Sequence, residues 1–343
     1  MRAGTQGGPL TLRRVLIISG IFTVGLLAVI FISLLCGTAK IGFSDLSKVF
    51  FESGQHHDAN WLIVVRIRLP RIFLAGLTGF TLSLGGLVFQ ALLRNPLADP
   101  FVLGVSSGAA FGAVVGIVLG FSFSVGIPLF SFIGAVVTIY LVLSISSRAM
   151  GVESSTAILA GVIVNAFFTA VIMFFIATSS EDRLHSMLFW LYGDLSQSRI
   201  SYSLVIAPAA LIGFFLLYSF SRHLNLLAAG EESALHLGVN VQRARFVCFI
   251  TVSLMVGLVV SFSGLIGFVG LIVPHLARMT FGSDNRLLMP VSALGGAVFL
   301  IAADTAARTI MSPNELPVGV ITAFLGAPFF IYLLKTRGSR WAQ

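Results

Sequence analysis

The 343-residue sequence predicts an all-α polytopic membrane protein with about ten transmembrane helices. Three observations carry that expectation. Hydrophobic residues make up 57% of the chain and charged residues only 10%, where a soluble domain has about 25% charged. The mean hydropathy is +1.01. Apolar runs near the roughly 20 residues that cross a hydrocarbon core recur along the whole sequence. The 35 Gly and 31 Phe also suit a membrane bundle, where small residues let helices approach and aromatics fill gaps.

The segments are, in order, Val15–Leu35, Leu69–Leu92, Phe101–Leu119, Val125–Ile145, Ala157–Ala177, Tyr202–Phe220, Phe246–Phe262, Leu265–Ala277, Leu287–Ala303 and Val318–Leu334. The first reads as an anchor rather than a cleaved signal. Its run exceeds the roughly 7–15 residues of a signal h-region, and Leu35 precedes Cys36 where a lipoprotein signal wants a small residue. The second and third are parted by Leu93-Arg94-Asn95-Pro96-Leu97-Ala98-Asp99-Pro100. Its two prolines forbid a continuous helix. The eighth is short and carries Pro274, which predicts a tilted, broken or re-entrant segment. Leu184–Tyr192 is apolar but too short to span and is expected to lie on a surface.

Lysine and arginine in short loops set the orientation. Arg13 and Arg14 open the chain, and Lys335, Arg337 and Arg340 close it. An even number of spans puts both termini on the cytoplasmic side. That side also collects Arg94, Arg148, Arg222, Arg243, Arg245, Arg278 and Arg286, and the other holds Asp45, Glu52, Asp58, Glu181 and Asp182. This bias accounts for much of the net charge of +8 without any nucleic-acid partner. Cys36 and Cys248 fall at opposite ends of their spans, so no disulfide is expected within the chain.

Four arginines break the pattern. Arg66, Arg68 and Arg71 lie at the outer end of the second span and Arg308 at the outer end of the ninth. They read either as a dock for an acidic partner, since the guanidinium fork suits carboxylates, or as side chains snorkelling to headgroups. Asp304 stands four residues before Arg308, the spacing of a helical ion pair. Gly108, Gly112, Gly116 and Gly120 recur every fourth residue and read as a packing stripe. His275 has no companion ligands at metal-site spacing and reads as structural; His56 and His57 read as solvated loop residues.

The whole chain, 1–343, reads as one membrane domain with a tail at 1–14, a long loop at 221–245 and a tail at 335–343. Within the loop, Glu231–Leu237 favours a short helix and Gly238 a stop. A loop of this length in a compact bundle tends to be functional. Its small and apolar residues, among them Ala228, Ala229, Ala234, Leu235 and Leu237, invite a protein partner or a membrane surface. No GxxxxGK[ST] phosphate loop occurs, so the chain cannot hydrolyse ATP by that route. No HExxH, GxSxG or CxxC catalytic motif is expected either. The spans lack the carboxylate or histidine chains of proton-coupled pumps. One subunit of a transport machine, powered from elsewhere, fits these residues. A stand-alone secondary transporter, an intramembrane enzyme and a structural scaffold are the alternatives.

Several runs together resemble the permease subunits of type II ABC importers, the family that carries vitamin B12, ferric siderophores and haem. They are Arg68-Leu69-Pro70-Arg71, Gln90 with Asn95–Pro100, Leu103–Ala109, Leu159-Ala160-Gly161, Asn225–Gly238, Gly267–His275, Glu315–Gly319 and Gly326-Ala327-Pro328. The resemblance implies the ten-helix fold of the vitamin B12 permease and a homodimer. It also implies two cytoplasmic ATPase subunits, which hold ATP and Mg, and a periplasmic binding protein. This chain itself would bind no cofactor or metal and would sit in a bacterial inner membrane. By position, Arg68, Arg71 and Arg308 match arginines that receive the binding protein. Gly230, Glu231, Glu232, Ala234, Leu235, Leu237 and Gly238 match coupling helices that seat on the ATPase. Asn95 and Leu97 match a cytoplasmic gate, and Ser154 and Ser155 a second gate region. Leu184–Tyr192 matches an outer helix that shifts as the pathway opens.

Overall fold

The structure is a computed structural model. It describes residues 10–39, 41–51, 58–148, 151–152 and 154–337. The residues His56, His57 and Glu52, most of the N-terminal tail and the end of the C-terminal tail lie outside the described residues.

Helices α1 (Leu12–Leu35), α2 (Phe43–Phe51) and the single turn α3 (Ala59–Trp61) come first, followed by a π-helical stretch, Leu62–Arg68, that runs into α4 (Leu69–Leu92). A 3₁₀ turn, Pro100–Leu103, leads to α5 (Val105–Val118) and α6 (Gly126–Ser146). A two-residue antiparallel pairing of β1 (Ser147–Arg148) with β2 (Gly151–Val152) precedes α7 (Ser154–Thr178). Then come α8 (Glu181–Leu191), α9 (Ile200–Ser219), α10 (Ser221–Ala229), α11 (Glu231–His236) and α12 (Val241–Ser263). Helices α13 (Val269–Phe281), α14 (Asn285–Thr309) and α15 (Val318–Arg337) complete the bundle.

Among the described residues seven helical stretches are long and apolar enough to cross a membrane, and α5, α13 and the apolar part of α15 are shorter apolar helices. Each of the ten expected segments overlaps one of these ten. Most boundaries move by a few residues, and three shifted starts have a local cause. The second span starts at Ala59, ten residues early, because Pro70 does not end the helix but widens it. Proline has no N–H to donate and its ring crowds the carbonyl four residues back. The preceding turn therefore adopts π geometry, with Leu69 N bonded to Val64 O. The third span loses Phe101–Gly104 to the 3₁₀ turn and to Gly104 at φ +78°. The eighth begins only at Val269, after Phe268 turns the chain at φ +69°.

Helix α4 is the axle, buried along nearly all its length. Glycines let its neighbours reach it. A Cβ on Gly79 would overlap Gly296 O of α14, and one on Gly86 would overlap Gly270 O of α13. In the α5–α6 hairpin a Cβ on Gly108 would overlap the Thr138 hydroxyl, and one on Gly112 would overlap Phe130 O. The expected stripe is therefore a packing seam, except at its end. Gly120 faces open space and sits at φ +77°, so its role is the turn.

The short α8 buries Met187 and Trp190. Its C-terminal end grips two helix breaks. Leu265 N donates to Trp190 O (3.4 Å), and Val318 N donates to Gly193 O (3.1 Å). His275 is buried among the rings of Phe329 and Phe330, with centroids 6.3 and 6.1 Å away, and both cysteines are free.

Candidate functional site

Two clusters lie at opposite ends of α4. At its N-terminal end, the arginine end, Arg68, Arg71 and Arg308 are 3%, 4% and 5% exposed. They form no open basic patch. Arg68 donates to Leu34 O and Ala39 O, closing over Gly37. Arg71 Nε meets Asp304 Oδ1 at 2.9 Å, and its Nη1 meets Glu315. Arg308 Nε meets Asp304 Oδ2 at 3.1 Å, and its Nη2 donates to Ser33 Oγ at 2.7 Å. One carboxylate thus serves two guanidiniums.

The physical reason for the burial is charge balance. A guanidinium out of water needs its donors filled and a countercharge nearby. Asp304 supplies the charge, and the end of α1 supplies carbonyls and a hydroxyl. The i,i+4 pair of Asp304 and Arg308 was legible in the spacing; the link to Arg71 was not. Glu315 lies at the rim, its side chain 36% exposed. Arg66, by contrast, is exposed and stacks over Trp61 at 6.0 Å.

At the other end, Asn95 Oδ1 accepts from Leu97 N and Asp99 Oδ1 accepts from Phe101 N, each at 2.9 Å. Two side-chain caps in succession hold the turn without regular structure. Asn95 and Leu97 are exposed on it. Asp99 is half-buried, and desolvation pushes its carboxyl up to about 6 against the Phe101 N–H that favours the charged form.

Helix α10 packs against α4, and α11 follows it. Asn225 clamps α10 to the start of α14: its Nδ2 donates to Asp284 Oδ1 (2.8 Å) and its Oδ1 accepts from Asn285 N (2.8 Å). Hydrogen bonds from Arg286, joined by that from Asn225, hold the Asp284 carboxyl down at about 2. Gly230, at φ +142°, separates the two helices, and Gly238, at φ +80°, ends the second. Arg245 grips Glu231 at both oxygens (3.1 and 2.7 Å).

These contacts correct part of the expected partner surface. Ala234 is fully buried and faces the bundle, and Glu231 is tied to α12. Glu232, Leu235 and Leu237 face outward; the two leucines are 56% and 67% exposed. The expected loop 221–245 is itself mostly helical, and α12 takes its last residues. Ser154 and Ser155 open α7, but their side chains lie outside the described residues. Gly104-Val105-Ser106-Ser107-Gly108 spells GxSxG, with Ser106 at the serine position, which corrects the expected absence of that motif. It follows a 3₁₀ turn rather than a strand, and Ser106, at the nucleophile position, is buried where an elbow would expose it, so it is no nucleophile elbow.

The bundle has close counterparts. The model of the FecCD transport family matches residues 25–336. The chain belongs to that family. A permease of Bacillus subtilis, the uncharacterized ABC transporter permease protein YvrB, is 43% identical over 324 residues, covering 91% of this chain and 92% of that one. The hemin transport system permease HmuU of Yersinia pestis is 39% identical over 319 residues, with 90% and 94% covered. The cobalamin import system permease BtuC of Halobacterium salinarum is 43% identical over 279 residues, with 81% and 75% covered. A solved metal-chelate type ABC transporter in an inward-facing conformation superposes with a TM-score of 0.81 at 33% identity, covering 93% of this chain and 99% of that one. This FecCD protein is a multi-pass permease subunit of an ABC importer.

Proposed function

We propose that this permease carries a metal chelate, of the ferric siderophore, haem or corrinoid class, inward across a bacterial inner membrane by alternating access. It works as a homodimer with two cytoplasmic ATPase subunits and a periplasmic binding protein, and both its termini are cytoplasmic. The observation that carries the reading is α11. This short helix and its C-cap present Leu235 and Leu237 outward, while Arg245 ties α11 to α12 and the Asn225 clamp ties the preceding α10 to α14. A rigid apolar knob tied to two spanning helices suits the transfer of force from an ATPase.

The gate reading rests on Asn95 and Leu97, which share the same end, with Ser154 and Ser155 as its second part. The docking reading changes in detail. Arg68, Arg71 and Arg308 already have internal partners, so a binding protein's carboxylate would meet exposed Arg66 first. It would reach Arg71 only by replacing Glu315. The relatives named for hemin and cobalamin support the chelate class, and the choice within it falls to the binding protein. Growth or uptake of a deletion strain on haem, ferric siderophores and cobalamin tests this: loss on one of them supports the reading, and unchanged growth on all contradicts it. Uptake by the purified chain without ATP would instead favour a stand-alone carrier.

A further inference from the structure

Two neighbouring cavities at the arginine end serve nothing described above. The first, about 260 Å³, lies between α8 and the ends of α6, α9 and α12. Phe123, Phe189, Trp190, Tyr202 and Phe262 give it aromatic walls, and Asp194 is its acid. That carboxylate accepts from Ser196 N (2.7 Å) and Ser196 Oγ (2.8 Å), both neutral donors. Among the described residues lining the cavity there is no lysine or arginine; His185 lies against Phe189. Ring faces and a carboxylate without a resident cation suit an ammonium group.

The second cavity, about 320 Å³, shares Pro128, Tyr202, Ser261 and Phe262 with the first. It continues along Leu129, Phe132, Val205 and Leu258. Leu129 and Val205 are more than half exposed in the bundle, as lipid-facing residues are. Position along the helices fixes the depth of each cavity. Tyr202 and Pro128 are third in α9 and α6, and Phe262 is next to last in α12. Val205, Phe132 and Leu258 each lie about one turn further in, roughly 5 Å. The aromatic cavity therefore sits at headgroup level and the groove at acyl level.

We propose that the two cavities together bind one phospholipid with a primary-ammonium head, phosphatidylethanolamine. The ammonium lies among the rings against Asp194 and one acyl chain follows the groove. Exposed Arg199, one turn before Tyr202, lies at the level of the phosphate. Since Phe189 and Trp190 belong to α8, the lipid braces the helix whose end holds the starts of α13 and α15.

Native mass spectrometry of the full permease, equilibrated with phosphatidylethanolamine and phosphatidylglycerol in equal amounts, tests this. The expected result is retention of phosphatidylethanolamine over phosphatidylglycerol by roughly fivefold or more, in the range of a desolvated cation–ring contact. Asp194→Asn, which preserves shape and the Ser196 contacts, and Phe189→Ala should each erase the preference while thermal unfolding stays near that of the parent. Equal retention of the two lipids, or a preference untouched by both substitutions, would overturn the proposal. Displacement of the lipid by millimolar free ethanolamine would also overturn it, since the cavity would then belong to a soluble ammonium.

Discussion

Arg71 and Asp304 meet at 2.9 Å between α4 and α14, 233 residues apart in sequence and both nearly sealed from solvent. The other oxygen of Asp304 holds Arg308 at 3.1 Å. Removing the carboxylate leaves buried Arg308 without an ion-pair partner and Arg71 with only the rim carboxylate of Glu315. Breaking a buried pair from one side typically costs about 3–5 kcal/mol, whereas replacing both partners with apolar residues is often near neutral. Asp304→Ala should therefore destabilise the bundle by about that amount, and replacing the whole triad, Arg71→Met with Asp304→Leu and Arg308→Met, should recover much of it. Denaturant unfolding in detergent measures both. An Asp304→Ala protein as stable as the parent would show that the network is not structural.

The glycine seams predict a graded response. Gly79→Ala and Gly86→Ala each push a methyl into a facing backbone carbonyl, and overpacking of this kind costs about 1–3 kcal/mol. Gly120→Ala meets open space and pays only for its left-handed backbone, about 1–2 kcal/mol. Melting temperatures should fall further for the first two. The opposite order would mean that α4 is not held by close helix contact.

Asp99 makes the turn after α4 sensitive to pH. Its carboxyl rises from the usual 3.8 to about 6 in the folded chain. The folded state then holds a proton that the unfolded state has released. The stabilisation is complete below about pH 4 and lost as the pH climbs through about 6. Asp99→Asn keeps the cap on Phe101 N and should flatten this dependence, raising the melting temperature at pH 7 and leaving it unchanged near pH 4. Parallel pH profiles for the two proteins would refute this assignment.

Much of the bundle is legible because a spanning helix announces itself by apolar length, and the second span ends at Leu92 as expected although it starts ten residues earlier. What stayed hidden depends on contacts distant in sequence. Arg66 and Arg68 looked like the end of a span because charges mark ends; only the π turn shows the helix running past them to Ala59. The i,i+4 pair of Asp304 with Arg308 was visible, but Arg71 and Glu315 lie far away in the chain and no pattern announces such partners. Ala234 and Leu237 are equally apolar in sequence, and it is the packing of α11 on α12 that buries one and exposes the other.

That difference gives a prediction at α11. Ala234→Leu should loosen the helix, since a fully buried site admits no larger side chain without about 1–3 kcal/mol of strain. Leu237→Asp should leave stability nearly unchanged while weakening ATPase assembly. Thermal unfolding together with co-purification of the ATPase separates the two. Equal destabilisation by both would place Leu237 in the core instead.

The central claim is that an ATPase drives chelate import through the exposed leucines of α11. The direct test is ATP-dependent uptake of the chelate lost in the deletion strain, measured in vesicles holding the assembled transporter. The account predicts robust uptake by the parent and at least a tenfold loss in Leu235→Asp with Leu237→Asp, about the 1.4 kcal/mol of coupling that one decade represents. Unchanged uptake in the double variant, or uptake that proceeds without ATP, would contradict it.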